Sequence, residues 1–279
     1  MSPSYLSVFL IFCRNSLVRD MTYRWNFLFD AITSLAWMSI NLLFYILIYE
    51  YTPLLSLPEE GSADPGWGKY QFFVFISTSM IINSIVQAFF MPNAEEFSEL
   101  IRTGNLDFAL LKPIDTQFLI SLQKIEWSSL ANCVFGVGLL IYALLQLDYA
   151  PSAAQVLLYP VYILCGVMIL YSLTIAMSSV SVWLGRNQSL YDFWFYITNF
   201  SRYPLEIYHG RFGYPMRLTF MYVLPVLLVV NVPARLLAKP LEAQHWPLAA
   251  FTLLATLASF VLSRRLFQSA LKSYRSASS

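Results

Sequence analysis

The chain has 279 residues, 58% of them hydrophobic and 12% charged, and a mean hydropathy of +0.58, whereas a globular domain is about a quarter charged. So few charged groups cannot cover a compact fold with polar surface, which excludes a water-soluble protein. Net charge is only +1, from 17 Lys and Arg against 16 Asp and Glu, so no global charge points to nucleic acid and the position of each charge matters more than the total.

Segments of about 20 apolar residues are needed to cross a hydrocarbon core. In chain order they are Phe27 to Tyr51, Tyr70 to Met91, Leu130 to Leu147, Val156 to Leu184 and Trp246 to Leu262. The link 52–68 carries Glu59, Glu60 and Asp64 without a base and reads as external. Arg14, Arg19 and Arg24 before the first span, and Arg264, Arg265, Lys272 and Arg275 after the last, place both termini in the cytoplasm. An even number of spans follows, with 92–129 inside. The expected fold is an all-α integral membrane protein of six transmembrane helices. It has an N-terminal interfacial helix over 1–26, where Tyr5, Phe9, Phe12 and Val18 alternate with Arg14, Arg19 and Asp20. No cleaved signal is expected, since charges interrupt the first apolar run.

The region 186–245 admits two topologies. In one it is a cytoplasmic loop followed by a span from Met216 to Ala234. In the favoured one Ser189 to Tyr203 is a short fifth span, and Leu205 to Arg235 dips back as a re-entrant pair broken near Pro225, because Phe193 to Ile197 is too apolar for a solvated loop.

The segment 92–129 is charged and capped. Asn93 is expected to cap a helix ending at Thr103, with Glu95 and Glu96 in its first turn and Gly104 terminating it. Leu106, Phe108, Leu110 and Leu111 are expected to bury apolar groups around Asp107, with Asp115 and Thr116 restarting helix after Pro113. This stretch resembles the bacterial branch of the type-2 ABC (ABC-2) transporter permeases, through a G-x-L-D-x-x-L-L-K-P signature at Gly104, Leu106, Asp107, Leu110, Leu111, Lys112 and Pro113. Similar stretches are Tyr23-Arg24-Trp25-Asn26-Phe27-Leu28 and Phe200-Ser201-Arg202-Tyr203-Pro204-Leu205-Glu206-Ile207-Tyr208, with His209 departing from the proline expected there.

The resemblance implies a permease subunit of an ATP-driven exporter in the bacterial inner membrane. It would work as a dimer with a second copy or a related permease. A coupling helix would carry Glu95, Glu96, Glu99 and Arg102, its angle fixed by Gly104, Asp107, Lys112 and Pro113, and would dock on separate ATPase subunits that hold ATP and Mg. Pro204, Tyr208 and Pro225 would belong to an external gate. No cofactor is expected on this chain: its nearest approach to a P-loop, Gly66-Trp67-Gly68-Lys69-Tyr70, lacks the first glycine and the metal-binding hydroxyl.

Polar stripes mark the expected pathway: Asp30, Ser34 and Asn41 on the first span, Ser79, Asn83 and Gln87 on the second, and Asp192, Tyr196 and Asn199 on the proposed fifth. The same polar groups also suit interhelical packing, as do Thr174, Ser178 and Ser181. A membrane enzyme acting on lipid would need a catalytic cluster, and His209 and His245 stand alone. An ATP-independent carrier would be expected to show inverted repeats, and the two halves show no convincing self-similarity.

Overall fold

A computed structural model describes residues 4–22, 24–51, 66–184, 188–240 and 246–274, all helix, turn or coil with no strand among them. Five of its helices are long and apolar enough to cross a bilayer. They are α2 (Arg24–Tyr51), α3 (Lys69–Phe89), α7 (Leu130–Gln146), α8 (Ala153–Leu184) and α12 (Trp246–Ser273), each close to the span read from hydropathy. The short links are α1 (Tyr5–Thr22), α4 (Met91–Thr103), α5 (Leu106–Leu110), α6 (Thr116–Leu122), α9 (Gln188–Asn199), α10 (Gly210–Leu218) and α11 (Val226–Ala238).

The core lies where α3, α7, α8, α11 and α12 meet, around Phe75, Ile82, Leu170 and Leu227 to Val230. With lipid outside as apolar as the core, close contact rather than exclusion of water must hold such helices together. Gly166 is a case in point. A Cβ there would lie 2.7 Å from the Val229 carbonyl oxygen, so α8 and α11 cross at a distance only glycine allows. α2 is the opposite case, with no buried residue among its described side chains.

The region before the last span differs from the sequence reading in one respect. α9 has 12 residues, a length of about 18 Å at 1.5 Å per residue against a hydrocarbon core of about 30 Å. By length it does not make the expected fifth span. The sixth candidate is instead a bent pair, Gly210–Val223 and Val226–Ala238, meeting at 88°. Its break falls at Leu224 and Pro225, where the sequence reading put it, after a π-helical turn at Thr219–Val223. One arm, α11, is buried along nearly its whole length, while α10 buries no residue.

The buried arm is fixed by polar bonds. The Leu205 amide donates to Asn231 Oδ1 at 2.9 Å, and Asn231 Nδ2 donates to the Tyr203 and Leu227 carbonyls at 3.3 and 2.9 Å. Arg235 pairs with Glu206, both largely buried. At the tip, Gln155 Nε2 donates to the Leu236 and Lys239 carbonyls at 2.8 and 2.9 Å, and Lys239 Nζ lies 4.8 Å from the Trp67 ring centroid. The C-terminal end of α11 therefore shares one end of the bundle with the starts of α3 and α8. The opposite end carries α4 to α6 and is called the loop end below.

α1 corrects the simple amphipathic picture. Three of its polar residues face the protein, while Arg14 is exposed: Ser16 Oγ accepts from the Ile125 amide at 3.1 Å, Arg19 donates to the Ile125 carbonyl at 3.1 Å, and Asp20 accepts from the Trp127 amide at 3.4 Å. Tyr5 and Phe9 pack edge-on or stacked against Phe118 and Phe89. Leu6, Leu10, Ile11, Val18 and Met21 are left exposed, an aliphatic face with no protein over it.

Candidate functional site

Two features at the loop end stand out: the loop over α4 to α6 and a groove between α2 and α3. In the loop, Gly104 adopts φ 72° and ends α4, as its sequence position requires. Asn93 is not the cap. α4 starts at Met91 and runs on almost without interruption from α3, so Asn93 lies inside the helix and Glu95 and Glu96 fall beyond its first turn. The Asn93 side chain, 2% exposed, instead clamps the returning chain. Its Nδ2 donates to the Phe89 and Lys124 carbonyls, both at 2.7 Å, and its Oδ1 accepts from the Lys124 amide at 2.8 Å.

The loop has its own small core. Phe97, Leu106, Ala109, Leu119 and Ile120 pack on Tyr171 and Ile175 of α8 and on Phe267 of α12. Asp115 caps α6 by accepting from the Phe118 amide at 3.0 Å. It also holds Arg264 of α12 through two bonds, one of 2.9 Å, while Arg264 donates to Gln117 Oε1 at 2.8 Å and Gln117 donates to the Tyr171 hydroxyl at 2.9 Å. The Arg264 guanidinium keeps the Asp115 carboxyl below its usual range. Glu96 pairs with Lys124 at 2.9 Å, and Glu99 with Arg102 through a bond of 2.8 Å that draws the Glu99 carboxyl down.

Of the apolar residues expected to be buried here, Leu106 is, but Phe108, Leu110 and Leu111 are not. Phe108 is 68% and Leu111 80% exposed. Lys112 and Pro113 are exposed beside them, and Asp107 lies near Tyr274 at the end of α12. The result is an apolar tip beside Lys112, with the exposed Glu99–Arg102 pair on α4 of the same loop, which is braced against two spans.

The groove brings together two stripes separated in the sequence. Next to the loop, Asp30 of α2 and Gln87 of α3 line a cavity of about 500 Å³ with Glu95, Glu126, Lys124 and Ser128. Further along, Asn41 lines a second cavity of about 90 Å³ with Ser79, Asn83, Trp37 and Arg202. Asp30 and Gln87 thus meet at one cavity and Asn41, Ser79 and Asn83 at another along the same two helices, with Ser34 half-buried on α2 between them in sequence. Tyr196 and Asn199 do not line it. Tyr196 is largely exposed beside Phe195, and the side chain of Asp192 lies outside the described residues. Of the residues expected at the gate, Pro204 and Tyr208 are buried near Asn231, with the Tyr208 hydroxyl donating to the Phe200 carbonyl at 2.9 Å. Pro225 stands at the bend.

The described residues hold no group of three or more His, Cys, Asp or Glu that could bind a metal. A family model described as ABC-2 family transporter protein matches residues 35–278. The chain belongs to the ABC-2 transporter family. No curated protein and no solved structure matches it. The match begins inside α2 of this ABC-2 chain and runs through the loop, the groove walls and the bent pair, so all three belong to the family region. Residues lining the two cavities escaped the sequence reading of this ABC-2 protein: Arg202, which reaches the smaller one from the turn after α9, and Glu126 with Ser128, which line the larger one from the loop. Arg202 lies inside the quoted Phe200 to Tyr208 stretch, and its charge in an apolar region was the available signal.

Proposed function

We propose that the chain is the membrane-spanning permease subunit of an ATP-driven exporter of the bacterial inner membrane, with both termini cytoplasmic. Two permease chains form the pathway, and separate ATPase subunits, which hold ATP and Mg, bind the loop over α4 to α6. The observation that carries this reading is the exposed tip. Phe108 and Leu111 turn outward from a loop whose other apolar residues are packed away, and an apolar patch kept on such a rigid support suits a protein partner. Glu99, Arg102 and Lys112 around it set the orientation of docking, while Glu95 faces the cavity.

Force applied to this tip has a short route to the groove. α4 continues from α3, so movement of the loop moves the wall that carries Gln87, Asn83 and Ser79. The Asp115–Arg264 pair and the Phe97–Phe267 contact, 5.8 Å between centroids, pass the same displacement to α12. ATP-driven closure of the ATPase pair draws the two loops together and changes the groove. The bent pair closes the outer side, with Pro204 and Tyr208 on the lip and Pro225 at the hinge.

The test is Phe108→Asp and Leu111→Asp, with Glu99→Ala plus Arg102→Ala as a second variant, each measured for ATPase association in detergent. Association is expected to weaken about tenfold or more, on the scale of a lost interface anchor. Wild-type association by all variants would sink the docking assignment. Cysteine labelling across Leu205 to Phe212 in intact cells tests the outer placement of the bent pair, and labelling only after permeabilisation would refute it.

A further inference from the structure

The larger cavity has a chemistry of its own. Its two described bases are already engaged: Arg19 bonds Asp20 and the Ile125 carbonyl, each at 3.1 Å, and Lys124 pairs with Glu96 at 2.9 Å. Among the described side chains no cation pairs with Asp30, Glu95 or Glu126. Burial raises the Glu126 carboxyl above its usual range, and the charges of Asp30, Asp20 and Glu95 add to the rise. A second observation is independent of the acids. Ser128 lines the cavity, is 5% exposed, and its hydroxyl has no hydrogen bond among the described residues. On a largely buried residue, a hydroxyl that meets the cavity without a protein partner is a polar group open to a ligand.

The deeper groove presents the same kind of group. Asn41 and Asn83 each give their amide NH2 to their own helix, to the Trp37 carbonyl at 2.7 Å and the Ser79 carbonyl at 2.8 Å. Asn83 also donates to the Ser79 hydroxyl at 3.3 Å, so both of its N–H groups are used and its oxygen is left for a ligand, while Asn41 keeps its oxygen and one N–H. Arg202 stands at that far end, 5.8 Å from the Phe195 centroid, and repels a positive group. The arrangement suits a cation at the loop end with an attached apolar body along Trp37, Met38 and Met80.

We propose that the cavity between Asp30, Glu126 and Ser128 captures the positively charged head of an amphiphilic cation, the substrate class of this permease. The cavity's facing the cytoplasm and its place on a transport route rest on the function proposed above; the binding chemistry does not. Because Glu95 of the docking loop also lines the cavity, the head group would touch the element to which the ATPase binds.

The experiment uses the full chain in lipid nanodiscs without ATPase or nucleotide, with ethidium as the cationic probe and fluorescein as its anionic counterpart. Binding is read by anisotropy against empty nanodiscs. Wild type is expected to bind ethidium saturably and fluorescein not at all. Asp30→Asn together with Glu126→Gln is expected to weaken ethidium about tenfold, in line with removing charges from a partly shielded site. Asp30→Asn alone, at an exposed helix position, guards against a misfolded double variant and is expected to weaken binding severalfold, and Ser128→Val is expected to do the same by filling the cavity. Equal ethidium affinity in wild type and all variants, or equal affinity for both dyes, overturns the proposal. Phe108→Asp run alongside is expected to keep full ethidium binding, so loss of ATPase docking and loss of cation capture are read separately.

Discussion

The crossing of α8 and α11 offers the sharpest test of how the bundle is held. Alanine at Gly166 would place its Cβ 2.7 Å from the Val229 carbonyl oxygen, 3.0 Å from Ile82 Cδ1 and 3.2 Å from Val229 Cγ1. The first contact is with backbone, which cannot rotate away, so α11 must move by several tenths of an ångström. Overpacking of this kind costs about 1–3 kcal/mol. Replacing glycine inside a helix returns about 1 kcal/mol of that through lower backbone entropy. A net loss of about 0–2 kcal/mol is expected for Gly166→Ala. Gly138 on α7 is the control, because a Cβ there meets nothing within 4 Å, and Gly138→Ala is expected to be neutral or to gain up to about 1 kcal/mol. Both are measured as unfolding in one mild detergent. A Gly166→Ala protein as stable as Gly138→Ala would falsify the close crossing and with it the burial of α11.

Three further outcomes follow from the loop and the bent pair. Asn93→Ala leaves the Lys124 amide and carbonyl without their partner and is expected to cost about 2–3 kcal/mol, read as faster proteolysis within 104–126 with the spans intact. The Asp115 carboxyl is lowered in the fold from 3.8, so its stabilisation is complete above that value and lost as pH falls through the lower folded-state value. Asp115→Asn should remove this acid limb and, since the pair is about a third exposed, only about 1 kcal/mol at neutral pH. Glu206→Gln deprives the largely buried Arg235 of its carboxylate and is expected to cost on the order of 3 kcal/mol, while Glu206→Leu with Arg235→Met recovers most of it. A double variant as unstable as the single one would argue against the pair.

Hydropathy made the long spans legible because lipid demands a continuous apolar run whatever the neighbours are. The stripes of α2 and α3 were legible for a related reason, since polar groups in that solvent turn toward protein or water. What periodicity does not encode is which residues meet across the chain. Asn93 looks like a cap in isolation, and only contact with Lys124 on the returning chain gives it a better role within α4. Phe108 and Leu111 read as buried because apolar residues usually are, but the small core of the loop is filled by Leu106, Leu119 and Phe97 first. Trp194 of α9 is 3% exposed in the main core, a placement set by contacts across the chain. The length of α9 was obscured by its aromatic content, which the Pro204 turn interrupts before a bilayer could be crossed.

α1 grips the segment 125–127 with Ser16, Arg19 and Asp20 while its aliphatic side faces away from the protein. At the interfacial position expected for it from the sequence, such a helix would lie at the boundary between head groups and acyl chains, and whatever is fastened to it would lie at the same height. The floor of the larger cavity, with Glu126 and Ser128, would then be levelled by the lipid surface and not by the spans alone. A bilayer of different thickness would shift that floor against the walls on α2 and α3, making the composition of the membrane a setting of the site itself.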